Sequence, residues 1–349
     1  MAIPLALIAV ISLADILTPR EISLSPLLVT APAITASFAG PWLTGLVSII
    51  TIADEVLLGL NSEMLATRAM QTQLMALVVV SAFLVIFSFV RDRHREELIR
   101  VRSVSEAAQR ALLRPLPPGL GSLRLASMYL AAEEEAQIGG DLYAAARTHS
   151  GVRVVIGDVR GKGLPSVSDA ALLLGAFREA ARRHATLPDV VLYLDESVRA
   201  DLEEHAEECQ DACENFITAA VLEIPDHRPV VEVIDCGHPP PLLLRDRQVT
   251  TLQVAQPAPP LGLGELSDRA YQVEVFDFKP GDTLLLYTDG VIEARDRAGV
   301  FYPLAERVMT WPGDGPETLV EHVRDDLLAY VGGRLGDDAA MVAIQRLHD

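Results

Sequence analysis

The segment Gly157-Asp158-Val159-Arg160-Gly161-Lys162-Gly163 sets a carboxylate at the end of a largely apolar run, Val152 to Ile156, and places three glycines within seven residues. One reading is a strand that delivers an acid to a tight loop, because glycine permits positive φ and close backbone approach to a ligand. A plain structural turn is the other, and the segment alone does not choose between them. Further acids share this setting: Gly139-Gly140-Asp141 precedes it, Tyr287-Thr288-Asp289-Gly290 follows the run Thr283 to Leu286, and Gly336-Asp337-Asp338 lies ahead of Ala339 to Ile344. Carboxylates gathered in a core repel one another unless a cation offsets the repulsion. With oxygen ligands only, and no His or Cys at the matching positions, the ions favoured are Mg²⁺ or Mn²⁺ rather than Zn²⁺.

These segments resemble the metal-dependent PPM-type (type 2C-like) protein serine/threonine phosphatases, in the bacterial branch that includes the stage II sporulation phosphatase. The resemblance covers roughly residues 122 to 346 and runs through Ile138-Gly-Gly-Asp-Leu-Tyr143, Gly157 to Gly163, Phe216-Ile-Thr218, Cys236-Gly-His-Pro-Pro-Pro241, Pro260-Leu-Gly262, Leu286-Tyr-Thr-Asp-Gly290 and Gly336-Asp-Asp338. It implies an α+β fold, a two-sheet β-sandwich flanked by helices, with a site for two Mn²⁺ or Mg²⁺ ions at one end. Asp158 would bridge the ions beside the Val159 carbonyl, and Asp141, Asp289 and Asp337 would complete the set. Asp158 and Asp141 are thus the catalytic candidates, and Asp338 is the accessory member of its pair. Water activated by metal would attack the phosphomonoester, so no Ser, Cys or His nucleophile is required. At Arg160 the sequence departs from the eukaryotic branch, where a histidine commonly stands. A guanidinium cannot act as a general acid, which leaves protonation of the leaving group to water. Arg160 and Lys162 are candidates for a phosphate contact, against the plainer reading of solvated loop charges.

The elements that must position these acids alternate along the chain. Strands are predicted near 123–131, 142–148, 152–158, 216–224, 230–236, 241–245, 271–278, 282–288 and 338–346, and helices near 165–185, 188–207, 303–310 and 316–331. Two helices in succession followed by a run of strands disfavour a repeating βαβ pattern.

Ahead of this domain, the apolar excess behind a mean hydropathy of +0.27 is concentrated in the first 90 residues. Four apolar runs, about 2–18, 24–40, 42–60 and 72–90, suggest four membrane spans, of which only the last is nearly uninterrupted. Asp15, Pro32, Asp54 and Glu55 break the others. A charge at such depth costs on the order of 3 kcal/mol and faces a bundle interior. Helix packing and a sensing or ion-binding role are the two readings of these acids. The residues Arg91, Arg93, Arg95, Arg100 and Arg102 place the following segment in the cytoplasm by the positive-inside rule. Four spans put the N-terminus there too, whereas three would reverse it. Residues 91–118 then read as a juxtamembrane helix, with Leu98, Val101, Val104 and Ala108 as its apolar positions, stopped by Pro115, Pro117 and Pro118. It is either a spacer or the seam of a homodimer. The phosphatase-like domain would occupy 119–349.

Across 349 residues the net charge of −19 argues against a nucleic-acid partner. His238, between two strands, reads as a structural hydrogen-bonding residue. His205, Cys209 and Cys213 would line one helix face, but three ligands on one straight helix cannot surround a tetrahedral ion. Free thiols in a reducing cytoplasm are the plainer reading. The leading function is a membrane-tethered phosphatase acting on phosphoserine or phosphothreonine of a regulatory protein such as an anti-sigma factor antagonist. The alternatives are a membrane receptor with a non-catalytic phosphatase-like binding module, and a transporter, for which the spans are too few.

Overall fold

The computed structural model describes residues 2–18, 24–61, 67–132, 140–161, 163–206, 216–263, 271–311 and 315–348. It separates into two compact units, Met1–Arg100 and Val101–Asp349.

The first unit is helical: α1 (Ala2–Leu17), a 3-10 helix (Ser25–Val29), α2 (Thr30–Phe38), α3 (Pro41–Asn61) and the first part of α4 (Arg68–Leu112). Ile8, Ile11, Leu28, Ala31 and Val47 form its small core, while Phe38, Trp42, Ile49 and Phe83 face outward. The hydroxyls of Thr35, Ser48 and Thr51 donate to carbonyls one turn back, which satisfies them without water. Arg91 donates to the Ala36 and Ala39 carbonyls and so covers the negative end of α2. Two helical stretches, Pro41–Leu60 and Arg68–Arg95, are long and apolar enough to cross a membrane; Ile3–Leu17 and Ser25–Phe38 are apolar but shorter. Helix α4 ends ahead of the predicted proline stop. Val101, Val104 and Ala108 lie where only its backbone is described.

The second unit contains β1 (Gly119–Leu120), β2 (Leu123–Leu130), β3 (Leu142–Arg147), β4 (Gly151–Val159), α5 (Leu164–Arg183), α6 (Leu187–Ala206), β5 (Ile217–Pro225), β6 (Val230–Cys236), β7 (Leu242–Arg245), β8 (Gln248–Thr251), β9 (Glu274–Asp277), β10 (Thr283–Tyr287), α7 (Asp289–Ile292), α8 (Leu304–Met309), α9 (Pro316–Val331) and β11 (Ala339–Arg346). Two antiparallel sheets result, in the orders β1-β2-β11-β10-β7-β8 and β3-β4-β5-β6-β9. This is the expected α+β sandwich with flanking helices.

Strand alternation assigns each face. Leu284, Leu286, Val342 and Ile344 join the core that also holds β4, β5, α5 and α6, whereas Leu285, Tyr287, Met341 and Ala343 pack with α8 and α9. In β4, Arg153 reaches the carbonyls of Ala181, His184 and Ala185 at the end of α5, so Val152, Val154, Ile156 and then Asp158 face the other way.

Strands β1 and β8 and helix α7 are additions to the sequence expectation. The β7–β8 hairpin turns through Asp246 and Arg247, both at positive φ (50° and 62°), with Arg245 paired to Gln248. That is a two-residue turn of the type glycine or asparagine normally marks, and Asp-Arg carries no such mark. The strand expected over 271–278 pairs only from Glu274.

Candidate metal centre

Register brings the first two acids together. In β3 and β4, Leu142 pairs with Gly157, so Asp141 and Asp158, the adjoining residues, leave the ladder side by side. Asp158 is itself opposite Thr218 of β5. Inward alternation from Leu284 and Leu286 continues to Thr288. Its Oγ1 donates to Asp141 Oδ2 at 2.7 Å and accepts the Ala340 N–H at 2.9 Å. Thr288 thereby ties Asp141 of one sheet to β11 of the other.

Asp289 follows as the first residue of α7. The adjoining Gly290 lies against β11 so closely that a Cβ there would meet the Asp338 carbonyl oxygen at 1.8 Å; only glycine allows the approach that carries Asp289 inward. The loop after β4 uses glycine as expected, with Gly161 at φ +116° and Gly163 at φ +96°. One carboxylate oxygen each from Asp141, Asp158 and Asp289 lies within 4.8 Å of the others. They border a cavity of about 330 Å³ that Val159, Arg160 and Asp337 also line.

The pair near the C-terminus divides. Asp337 is exposed, and its Oδ1 accepts the N–H of Asp338 at 3.0 Å. Asp338 is buried, and its oxygens accept the Ala132 N–H at 2.7 Å and the Tyr129 hydroxyl. Both acids line the cavity, and Asp338 in addition braces β2 against the start of β11.

Burial, then the charge of Asp158, pushes the Asp141 carboxyl well above its usual range. Burial, then Asp289 and Asp337, raises Asp158 to about 7, and Asp289 is raised by burial and by Glu293 and Asp337. All three shifts express the cost of gathering desolvated like charges. An all-oxygen set of this kind suits a hard divalent cation, which would relieve that cost.

Around the acids, Arg160 is exposed, its guanidinium 5.0 Å from the Phe216 ring centroid and its backbone N–H donating to the Phe216 carbonyl at 2.9 Å. Lys162, Ile138, Gly139, Cys209 and Cys213 lie outside the described residues, as does the side chain of His205. His238 is buried. Its backbone N–H donates to Asp235 Oδ1 at 2.8 Å, and its Nδ1 lies 3.2 Å from Thr218 Oγ1. Burial depresses its pKa to about 3, opposed only by the Tyr287 backbone. Nε2 makes no hydrogen bond of normal geometry. A neutral ring of this kind fits a structural role and cannot serve as an acid near pH 7. Cys236 is a buried free thiol.

Thr288, Tyr129 and Thr218 were not among the candidates drawn from sequence. Thr288 and Thr218 carried a faint signal, since each sits inside a motif segment on the inward phase of its strand. Tyr129 carried none.

A protein-family model described as Stage II sporulation protein E (SpoIIE) matches residues 148–347. Among curated proteins, the chain is 30% identical over 172 residues to a phosphoserine phosphatase, RsbP, of Bacillus subtilis (strain 168), covering 49% of this chain and 40% of that one. It is 23% identical over 256 residues to the phosphoserine phosphatase RsbU of the same organism, covering 72% of each. The chain therefore spans well under half the length of the first relative. Among solved structures, the SiaA-PP2C domain of Pseudomonas aeruginosa superposes with a TM-score of 0.55 at 17% identity, over 73% of this chain and 97% of that one. This last likeness concerns the fold.

Proposed function

Because the chain belongs to the stage II sporulation protein E family of PPM-type phosphatases, we propose that it is a membrane-tethered protein serine/threonine phosphatase, metal-dependent like its family. The observation that carries this reading is the convergence of Asp141, Asp158 and Asp289 within 4.8 Å from segments of two different sheets. In this proposal Asp141, Asp158, the Val159 carbonyl, Asp289 and Asp337 would hold two Mn²⁺ or Mg²⁺ ions, with Asp338 as an accessory. Such ions would neutralise phosphate charge and make water nucleophilic near neutral pH.

The chain's own residues do the rest. Thr288 fixes the rotamer of Asp141, and a carboxylate so oriented binds without reorganising. Asp338 anchors the turn that carries Asp337. The aspartates face one another on the cavity wall, and Arg160 at its rim offers a fixed positive charge to an incoming phosphate.

The substrate proposed is phosphoserine or phosphothreonine on a regulatory protein such as an anti-sigma factor antagonist, as the family resemblance implies; RsbP and RsbU are themselves named phosphoserine phosphatases. We place four spans within residues 1–90, a juxtamembrane helix and linker at 91–118, and the phosphatase domain at 119–349 on the cytoplasmic side. Pro41–Leu60 and Arg68–Arg95 support two of these spans, and the arginines from Arg91 to Arg102 are the reason for placing the following segment on the cytoplasmic side.

The test is release of inorganic phosphate from a phosphoserine peptide by the full chain in detergent, with Mn²⁺, with Mg²⁺ or with a chelator. Activity should need the added metal and should vanish in Asp158→Asn. Equal turnover under chelation, or near-native turnover in that variant, overturns the assignment.

A further inference from the structure

Within the helical unit, Glu55 of α3 has no exposed surface, yet neither carboxyl oxygen has a hydrogen-bond partner of normal geometry. The other two acids of α1 and α3 are engaged: Asp15 Oδ1 accepts the Leu24 N–H at 2.5 Å, and Asp54 accepts the Ser12 hydroxyl. Glu55 instead borders a cavity of about 150 Å³ between the 3-10 helix, α3 and α4. Ser25 and Gln73 supply the cavity's other polar groups, with Gln73 Nε2 donating to Ser25 Oγ at 2.5 Å. Val29, Leu77 and Val80 supply apolar wall. Ser25 is the one hydroxyl that acts on the carboxyl, and a buried carboxyl so thinly partnered is costly whether ionised or neutral, since the neutral form also has an O–H and a carbonyl to satisfy.

We propose that this cavity is a binding site for a primary ammonium group on a short apolar body, with Glu55 as its counter-ion. The donor set selects among cations. A Ca²⁺ or Mg²⁺ ion takes about six or more oxygens, and the wall offers three polar side chains, two of which already bond to each other. An ammonium needs about three acceptors, which Glu55 and the side-chain oxygens of Ser25 and Gln73 can supply. The apolar wall then takes the carbon body. A cavity near 150 Å³ admits a molecule about the size of benzene, which sets the ligand at about five to seven heavy atoms. Val80 is 39% exposed and marks an open rim, so the ammonium could arrive free or on a lipid headgroup. The site is independent of the phosphatase reading, because all its residues lie in the helical unit.

The experiment is calorimetric titration of the full chain in nanodiscs of phosphatidylcholine and phosphatidylglycerol with butylammonium, using n-butanol as a neutral counterpart and Ca²⁺ as an inorganic one. Saturable butylammonium binding should weaken at least tenfold in Glu55→Gln. It should weaken as strongly in Val29→Phe, which fills the cavity and leaves the carboxylate. Discs containing phosphatidylethanolamine separate the sources: competition assigns the site to a headgroup, its absence to a free amine, and either keeps the ammonium site. Butanol binding as tightly as butylammonium, Ca²⁺ alone binding, or both variants binding like the native chain overturns it. If Glu55→Gln does not fold, Val29→Phe with the butanol comparison decides alone.

Discussion

Where β4 begins, Arg153 and Glu223 are buried side by side at 2.9 Å, and the guanidinium also donates to three carbonyls at the end of α5. Nearby Arg245 pairs with Asp282 at 2.5 Å, and Arg346 donates to the carbonyls of Phe278, Pro225 and Asp226. Where β4 finishes, Asp141, Asp158 and Asp289 face one another, and the charges that bear on Asp141 and Asp158 are other aspartates. The same two sheets supply both ends. A fold that satisfies its buried charges at one end and gathers like charges at the other has been shaped there by something other than stability. The difference separates charges that hold the sandwich together from charges that wait for a cation.

The largest expected effect follows directly. Asp158→Asn should lower metal-dependent phosphate release by more than about 100-fold, beyond what changes outside the ligand set produce. The metal-free protein should lose no thermal stability, because the substitution removes repulsion. A melting temperature that falls together with activity would erase the distinction between the two ends.

The opposite variant tests the other half. Arg153→Met leaves Glu223 buried without its partner and three carbonyls without their donor, at a cost of about 3–5 kcal/mol. Denaturant unfolding measures that loss, and turnover per folded molecule should stay native. Comparable instability in Asp158→Asn would mean that both ends are structural.

This contrast was only half legible in the sequence. Glycine-flanked aspartates at strand ends mark the cation end, because tight approach and oxygen ligation need those residue types locally. The strands carrying them follow from alternation, which needs no distant information. Arg153 was hidden inside the run Val152 to Ile156, since its partners Glu223 and the end of α5 are brought near only by the fold. Thr288 and Asp141 are 147 residues apart, and Tyr129 and Asp338 are 209 apart, so neither contact leaves a periodic trace. The β7–β8 hairpin was missed for a local reason, two non-glycine residues at positive φ.

Thr288→Val sharpens the comparison at intermediate scale. It keeps the shape and removes the hydroxyl that orients Asp141, so metal affinity should fall by about 10–100-fold while turnover at saturating Mn²⁺ is largely retained. Titrating activity against Mn²⁺ separates the two quantities. An unchanged metal requirement would show that Thr288 supports the strand ladder and not the acid.

The smallest effect is the pH dependence of stability without metal. Asp158 ionises at about 7 in the folded protein and near 4 when unfolded. Between these values the folded state holds a proton that the unfolded chain has released, so stability is full below about 4 and falls as pH rises through about 7. Asp141, raised more strongly for the same reasons, adds to the trend in the same direction. With Mn²⁺ the sign reverses, because a cation competes with protons for these oxygens and its stabilisation grows as they leave. Scanning calorimetry of chelated protein from pH 5 to 8 should show a melting temperature that declines by about 2–4 °C for each kcal/mol lost, and an Mn²⁺-induced increment that grows over the same range. Self-repulsion at a net charge of −19 also lowers stability as pH rises, so the variants must separate the two. Asp158→Asn should flatten the metal-free slope, and Glu223→Gln, at the paired end, should lower the curve without changing its slope. A slope equally steep in Asp158→Asn would assign the trend to overall charge and remove the cluster from the account.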